Sequence, residues 1–144
     1  MKVMADTSVL IAAMVESHPG HERAFPWLRQ AKRKQVDLFV STHTLAELYA
    51  VLTTLPVQPR LSPDIARRLI REDIESVARI VDLRGEDYRQ VLDDMSDSGL
   101  SGGVIYDALV VRAARKAKVD RLLTFNVADF QRVWPDSGKI IQAP

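Results

Sequence analysis

The chain has 144 residues, with 20 Lys and Arg against 19 Asp and Glu and a hydrophobic fraction of 47%. That length matches one domain spanning residues 1–144, and the apolar content supplies a core and argues against a disordered chain. The near-neutral charge carries no global basicity that would advertise nucleic acid, so any basic surface has to be local. Cysteine is absent, which excludes disulfides and thiolate metal sites and fits a reducing cytoplasm.

In chain order, Lys2-Val3-Met4-Ala5 reads as a first strand closed by Asp6, and Thr7 to Val15 as a short helix. This apolar start imitates a secretion signal, but Asp6 interrupts it and no small-residue cleavage site follows. No stretch approaches the ~20 apolar residues of a membrane span. Ser17-His18-Pro19-Gly20 is a loop, and residues 21 to 34 read as a helix despite Pro26, ending in the basic run Arg29 to Lys34. A second strand is expected over 37 to 41, followed by N-cap candidates Ser41 to Thr44 and a helix to 54. Pro56, Pro59 and Pro63 make 55 to 63 a connector, and Ser62 as N-cap with Pro63 at the first helical position starts a helix to 77. A short strand over 80 to 83, a helix over 86 to 96, a flexible loop over 97 to 103 and a helix over 104 to 117 come next. A strand over 121 to 124, a turn of helix over 127 to 131 and a last strand near 139 to 141 close the chain. Strands alternating with helices predict an α/β fold with a parallel sheet covered on both faces.

Four acids fall where one edge of such a sheet gathers them: Asp6, Glu47, Asp107 and Asp129. Strand C-terminal ends and the starts of the following helices share that edge, and active sites lie there. Crowded carboxylates repel unless a cation holds them, and a hard divalent metal prefers oxygen ligands. The pattern points to metal-dependent phosphoryl chemistry.

Each acid also has an ordinary reading. Asp6 suits the N-cap of the helix that begins at Thr7. Glu47 lies beside the stripe Leu45, Leu48, Leu52 and Leu55, where a solvated glutamate in the first turns also suits the helix dipole. Asp107 is harder to explain that way. Its helical neighbours Gly103, Val104, Val110 and Val111 form an apolar face expected to be buried, and a buried carboxylate is costly unless paired or metal-bound. No strand directly precedes its helix, which weakens the edge argument for this residue. Asn126 and Asp129 make a respectable helix start, as N-cap and third residue. His18 and His21, three apart in a Pro-Gly loop, read as surface residues rather than a metal pair. The Arg29 to Lys34 run reads as a solvated helix end with a modest chance of touching a phosphate backbone.

Four segments together carry a resemblance: Met4-Ala5-Asp6-Thr7-Ser8-Val9-Leu10, Ser41-Thr42-His43-Thr44-Leu45-Ala46-Glu47, Tyr106-Asp107-Ala108-Leu109-Val110 and Leu123-Thr124-Phe125-Asn126-Val127-Ala128-Asp129-Phe130. In order and spacing they resemble the PIN domain, and more narrowly the VapC-type ribonuclease toxins of toxin–antitoxin pairs. The resemblance implies a three-layer α/β/α sandwich with a central, mainly parallel sheet, whose acidic pocket binds Mg²⁺ or Mn²⁺ and hydrolyses RNA. By position, Asp6, Glu47 and Asp107 match the family's main acids. Asn126 stands where many members carry a fourth acid, which leaves Asp129 as its replacement. Thr7, Ser8 and Thr124 would be polar helpers. The resemblance also implies an antitoxin covering the pocket and a toxin homodimer, for which apolar helix surface over Leu48 to Leu55 and Ile65 to Ile74 is the candidate.

No Gly-x-Ser-x-Gly elbow or P-loop is present, whereas a metal held by carboxylates lowers the pKa of bound water and stabilises an in-line attack on phosphorus. Three alternatives differ in class. A haloacid-dehalogenase-like phosphatase wants a second Asp two residues after the first, where this chain has Ser8. A phospho-receiver domain wants paired acids after strand 1 and an Asp after strand 3, and neither is clear. A PIN-like module that binds RNA or a partner without cutting is disfavoured by the intact Asp6, Glu47 and Asp107.

Overall fold

Alternation along the strands builds the layers. In the computed structural model, which describes residues 1–144, five strands form one all-parallel sheet: β1 (Lys2–Ala5), β2 (Asp37–Ser41), β3 (Arg79–Val81), β4 (Arg121–Leu123) and β5 (Ile141–Gln142). Val3 and Ala5 of β1, Leu38 and Val40 of β2 and Leu123 of β4 enter one core. That core also holds α1 (Thr7–Met14), α2 (His21–Lys32), α3 (Thr42–Thr54) and α4 (Pro63–Leu69). The intervening residues Met4, Phe39 and Leu122 enter the opposite core, with α6 (Val104–Ala117) and α7 (Val127–Val133). α5 (Gly85–Asp97) packs on α6 through Val91, Met95, Ala108 and Leu109. A period of two along each strand therefore sorts side chains to two faces, both covered by helices. The expected α/β/α sandwich is the observed one.

The strand order is β3-β2-β1-β4-β5. From β1 the chain steps outward through β2 and β3, then returns to the other side of β1 for β4 and β5. The order reverses between β1 and β4, and crevices at such switch points are where open α/β sheets bind ligands. Val3, Met4 and Ala5 pair in register with Arg121, Leu122 and Leu123, so Asp6 and Thr124 leave the sheet side by side.

Some boundaries differ from expectation. α2 stops at Lys32, and Lys34 turns to a left-handed φ of 57°. The helix begun by Ser62 is α-helical only to Leu69 and widens into a π-helical stretch over Ile70–Glu75. β5 lies at Ile141–Gln142, slightly later than its apolar run suggests. Of the surface offered for a homodimer, Leu48, Leu52, Ile70 and Ile74 are buried in the chain's own core, leaving Tyr49 and Ile65 exposed. No helix is long and apolar enough to cross a membrane.

Candidate active site

The site starts from a cap. Asp6 is the N-cap of α1, and its Oδ1 accepts from the Val9 amide at 3.0 Å. That role was the ordinary reading of this residue, and it is real, but it engages only part of the carboxylate. Ser8 Oγ also donates to Oδ1 at 2.6 Å, and Thr124 Oγ1 donates to Oδ2 at 2.6 Å. Each hydroxyl has one hydrogen, given to Asp6, and each accepts from a backbone amide: Phe125 N to Ser8 Oγ at 3.2 Å and Asn126 N to Thr124 Oγ1 at 2.9 Å. Two consecutive amides beyond β4 are thus relayed through hydroxyls to the two oxygens of one carboxylate. Asp6 is only 5% exposed. Burial pushes its carboxyl above the ordinary range, against the pull of the Ser8 and Thr124 hydroxyls and the Val9 and Ser8 amides.

Glu47 comes from α3, whose start is fixed by Ser41. The Ser41 Oγ accepts from the Thr44 amide at 3.1 Å, as the Ser-Thr-rich sequence there suggests. Glu47 Oε1 lies 2.9 Å from His43 Nε2 one turn earlier. The separation suits an ion pair with a protonated ring, but the ring N–H is out of line for a hydrogen bond.

Asp107 lies in the first turn of α6 and is half-buried, not fully buried as its apolar helical neighbours suggest. The reason is an open cleft of about 430 Å³ in front of it, lined by Asp6, Glu47 and Asp107 together with Thr7, Ser8, His18, Phe125 and Asn126 and an apolar floor that includes Ile11 and Val110. No lysine or arginine lines this cleft. Asp107 is pushed up to about 6, first by burial and then by the negative fields of Asp6, Asp129 and Glu47. Three of the four expected acids therefore share one cleft at the switch point.

The fourth stands apart. Asp129 is exposed, 3.7 Å from Arg132, and acts on the cleft through its field on Asp107 rather than by lining it. Asn126 lines the cleft, but its side chain makes no capping bond on α7, contrary to expectation. Its φ of −103° and ψ of 50° are not those of an ordinary capped start, and its amide is committed to Thr124.

His18 and His21 do not form a metal pair. His18 Nδ1 accepts from the Gly20 amide at 2.9 Å, while His21 Nδ1 meets the Ala12 carbonyl at 2.8 Å and so carries its proton there. His18 instead forms part of the cleft wall, stacked near Phe125 with centroids 6.4 Å apart. Its neighbour Gly20 is tightly placed, since a Cβ there would meet Phe125 Cζ at 2.6 Å. The wall was missed from sequence because His18 and Phe125 meet only through the fold. Thr7 Oγ1, a buried hydroxyl without a hydrogen-bond partner, also borders the cleft.

The donor set suits a hard cation. Three carboxylates with no lysine or arginine among them converge on one cleft, and the raised Asp107 reflects burial first and then a repulsion that a positive ion would relieve. In their present rotamers the acids do not close into a ready-made cage, because Glu47 turns toward His43 and both Asp6 oxygens are engaged.

A parallel α/β/α sandwich with a carboxylate cleft at its switch point defines the class. The chain belongs to the PIN-domain family, whose pattern matches residues 3–133. It is 36% identical over 122 residues to Ribonuclease VapC40 of Mycobacterium tuberculosis, covering 85% of this chain and 84% of that protein. It is 35% identical over 115 residues to Ribonuclease VapC27 of the same organism, covering 80% and 78%. The fold is similar to that of Mycobacterium tuberculosis VapC20, described as a Sarcin-Ricin loop cleaving toxin, with a TM-score of 0.72 at 17% identity over 99% of each chain. It is also similar to a chain of VapBC2 from Rickettsia felis bound to a DNA fragment from their promoter, with a TM-score of 0.68 at 18% identity over 100% of this chain and 99% of that one.

Proposed function

We propose that this protein is a divalent-metal-dependent endoribonuclease acting as the toxin of a toxin–antitoxin pair in the cytoplasm. The observation that carries the reading is the convergence of Asp6, Glu47 and Asp107 on one cleft without a cationic side chain, with Asp107 pushed up to about 6. Membership of the PIN family and the ribonuclease names of its curated relatives support the same chemistry.

Asp6, Glu47 and Asp107 would hold Mg²⁺ or Mn²⁺, with Asp129 as the candidate fourth acid. The bound ion would supply a water of lowered pKa and stabilise charge on the phosphoryl oxygens. The chain's part is positional. Ser8 and Thr124 fix the orientation of Asp6, and the apolar floor keeps the acids partly desolvated, which strengthens their field. A phosphodiester entering the cleft meets no lysine or arginine on its lining, so its negative charge has to be balanced by the cation.

The partners follow the family. An antitoxin segment that offers an arginine to the acids would neutralise the cleft and block it, and a solved VapBC2 assembly of similar fold supports such a pairing. A homodimer is the expected toxin state, and light scattering showing a strict monomer at high micromolar concentration would count against it.

The test of the central reading is cleavage of single-stranded RNA with Mg²⁺ or Mn²⁺, its arrest by EDTA, and its loss in Asp107→Asn with a native circular dichroism spectrum. Full cleavage by that variant would overturn the assigned site.

A further inference from the structure

We infer that Tyr106, backed by His43, is a stacking platform for a nucleobase of single-stranded RNA held beside the acidic cleft. The inference rests on the ribonuclease reading and adds a substrate contact to it.

The two rings are 5.2 Å apart between centroids and 1° from parallel. Tyr106 is 52% exposed, whereas the His43 side chain is only 18% exposed. The histidine is therefore the inner plate of the stack and the tyrosine the outer one, with much of its ring open to solvent. An exposed aromatic of this kind contributes little to the core.

Its position is what gives it meaning. Tyr106 immediately precedes Asp107 on α6, and His43 lies one turn before Glu47 on α3, with Nε2 2.9 Å from that carboxylate. The stack therefore bridges the two helices that carry two of the three cleft acids. The helix end that carries its inner plate is also anchored. Thr42 Oγ1, next to His43, accepts from the Leu83 amide at 3.2 Å, which ties the start of α3 to the segment after β3. An aromatic face already backed by a second ring loses less conformational freedom on binding than an unsupported one.

A nuclease that cuts single strands has to position a phosphate against its acids while the adjoining bases lie unstacked. Proteins meet that need by laying such bases on aromatic side chains. The contact tolerates any sequence because every base has a π-face. The cleft lining carries no lysine or arginine to grip the backbone, so a stacking contact at the rim supplies positioning that ion pairs inside the cleft cannot.

The experiment uses a short single-stranded RNA with 2-aminopurine placed at one position at a time, titrated with Ca²⁺ in place of Mg²⁺ so that the cleft charge is balanced, with the parent protein, Tyr106→Phe, Tyr106→Leu and Tyr106→Ala. Melting temperatures are recorded for each. In the parent and Tyr106→Phe, fluorescence at one position is quenched on binding. In Tyr106→Leu and Tyr106→Ala that quench is lost and affinity falls by about tenfold. With Mg²⁺ the same two variants raise KM while kcat stays within about twofold of the parent, as expected for a contact that binds substrate and transition state alike.

Parental affinity and quenching in Tyr106→Leu would overturn the stacking role, since leucine keeps apolar area without a π-face. Parental behaviour in Tyr106→Ala would overturn any substrate contact at this residue. In both cases RNA cleavage by the parent leaves the ribonuclease reading standing. A parent protein that cuts no RNA with Mg²⁺ or Mn²⁺ overturns both.

Discussion

Two aspartates bear on α6 from different sides and meet opposite fates. Asp87, on α5, is 1% exposed and fully answered. It takes Arg112 Nε and Lys116 Nζ, each at 2.9 Å, and the Arg84 amide at 2.8 Å. The Arg84 amide, then Lys116 and Arg112, hold its carboxyl well below the usual carboxylate range despite burial. Asp107, on α6 itself, is less buried yet pushed up to about 6, first by what burial it has and then by three further acids, with no cation to offset either. Burial of a carboxylate is thus no mark of function. The mark is burial without a cationic answer, beside open space. One side of α6 joins the fold together, and the other holds a charge that the fold leaves for something else to neutralise.

The largest expected effect breaks the unanswered side. Asp107→Asn should lower RNA cleavage by about 100-fold or more, since removing even an indirect partner of a metal ligand costs about 10–100-fold. The same change should raise the melting temperature of the metal-free protein, because it removes a repelled charge. A metal-free variant that melts below the parent would mean that Asp107 is supported by contacts other than its cation.

Asp87→Ala should do the reverse. It strands Arg112 and Lys116 and should cost about 3 kcal/mol in urea unfolding, the low end for breaking a buried pair, because both partners are partly exposed and can rehydrate. Metal binding by calorimetry, in conditions where the variant is folded, should stay at the parental value. Lost metal affinity in a folded variant would show that the two sides of α6 are coupled.

The two sides also predict opposite pH dependence. Asp87 titrates lower in the folded state, so its stabilisation is present above its ordinary value of 3.8 and is lost as pH falls below it. Asp107 titrates higher in the folded state, so its relative stabilisation is present below 3.8 and is lost as pH rises through about 6. Metal-free protein should therefore lose stability between pH 4 and 6 through Asp107, with Asp6 acting in the same direction. Urea midpoints should show that fall in the parent and a smaller one in Asp107→Asn. Equal slopes would place the repulsion elsewhere.

The smallest effect separates the two candidates for the fourth position. Asp129→Asn removes one of the fields that raise Asp107 and should weaken metal binding by about threefold, as suits an exposed charge. Asn126→Ala should do less, because the neutral Asn126 side chain puts no charge on the site. A larger loss in Asn126→Ala would make its carbonyl oxygen the fourth donor.

Much of this was legible in sequence for local reasons. β1, β2, α3 and α6 follow from short apolar runs and helical spacing, and Asp6, Glu47 and Asp107 fall where a parallel sheet gathers the ends of its elements. What was not legible is long-range. The Arg112 and Lys116 pair that answers Asp87 lies more than twenty residues away along the chain, and nothing in the α5 sequence distinguishes Asp87 from its neighbours. The Tyr106–His43 stack joins two helices whose facing is set only by packing. Asn126 reads as a cap, but its amide is drawn off by Thr124, a partner that depends on β4 lying beside β1. The half-exposure of Asp107 was misjudged for the same kind of reason: a helical face predicts which side points inward, not whether a cleft opens there.

The relay from the Phe125 and Asn126 amides through Ser8 and Thr124 to Asp6 has a consequence for biosynthesis. One oxygen of Asp6 is oriented by the Thr124 hydroxyl, which is made more than a hundred residues later. A nascent chain that stops short of β4 already contains Asp6, Glu47 and Asp107, yet only Ser8 and Val9 are there to hold Asp6 and no crevice exists between β1 and β4. The acidic cleft is thereby completed only once β4 has been made and has paired with β1.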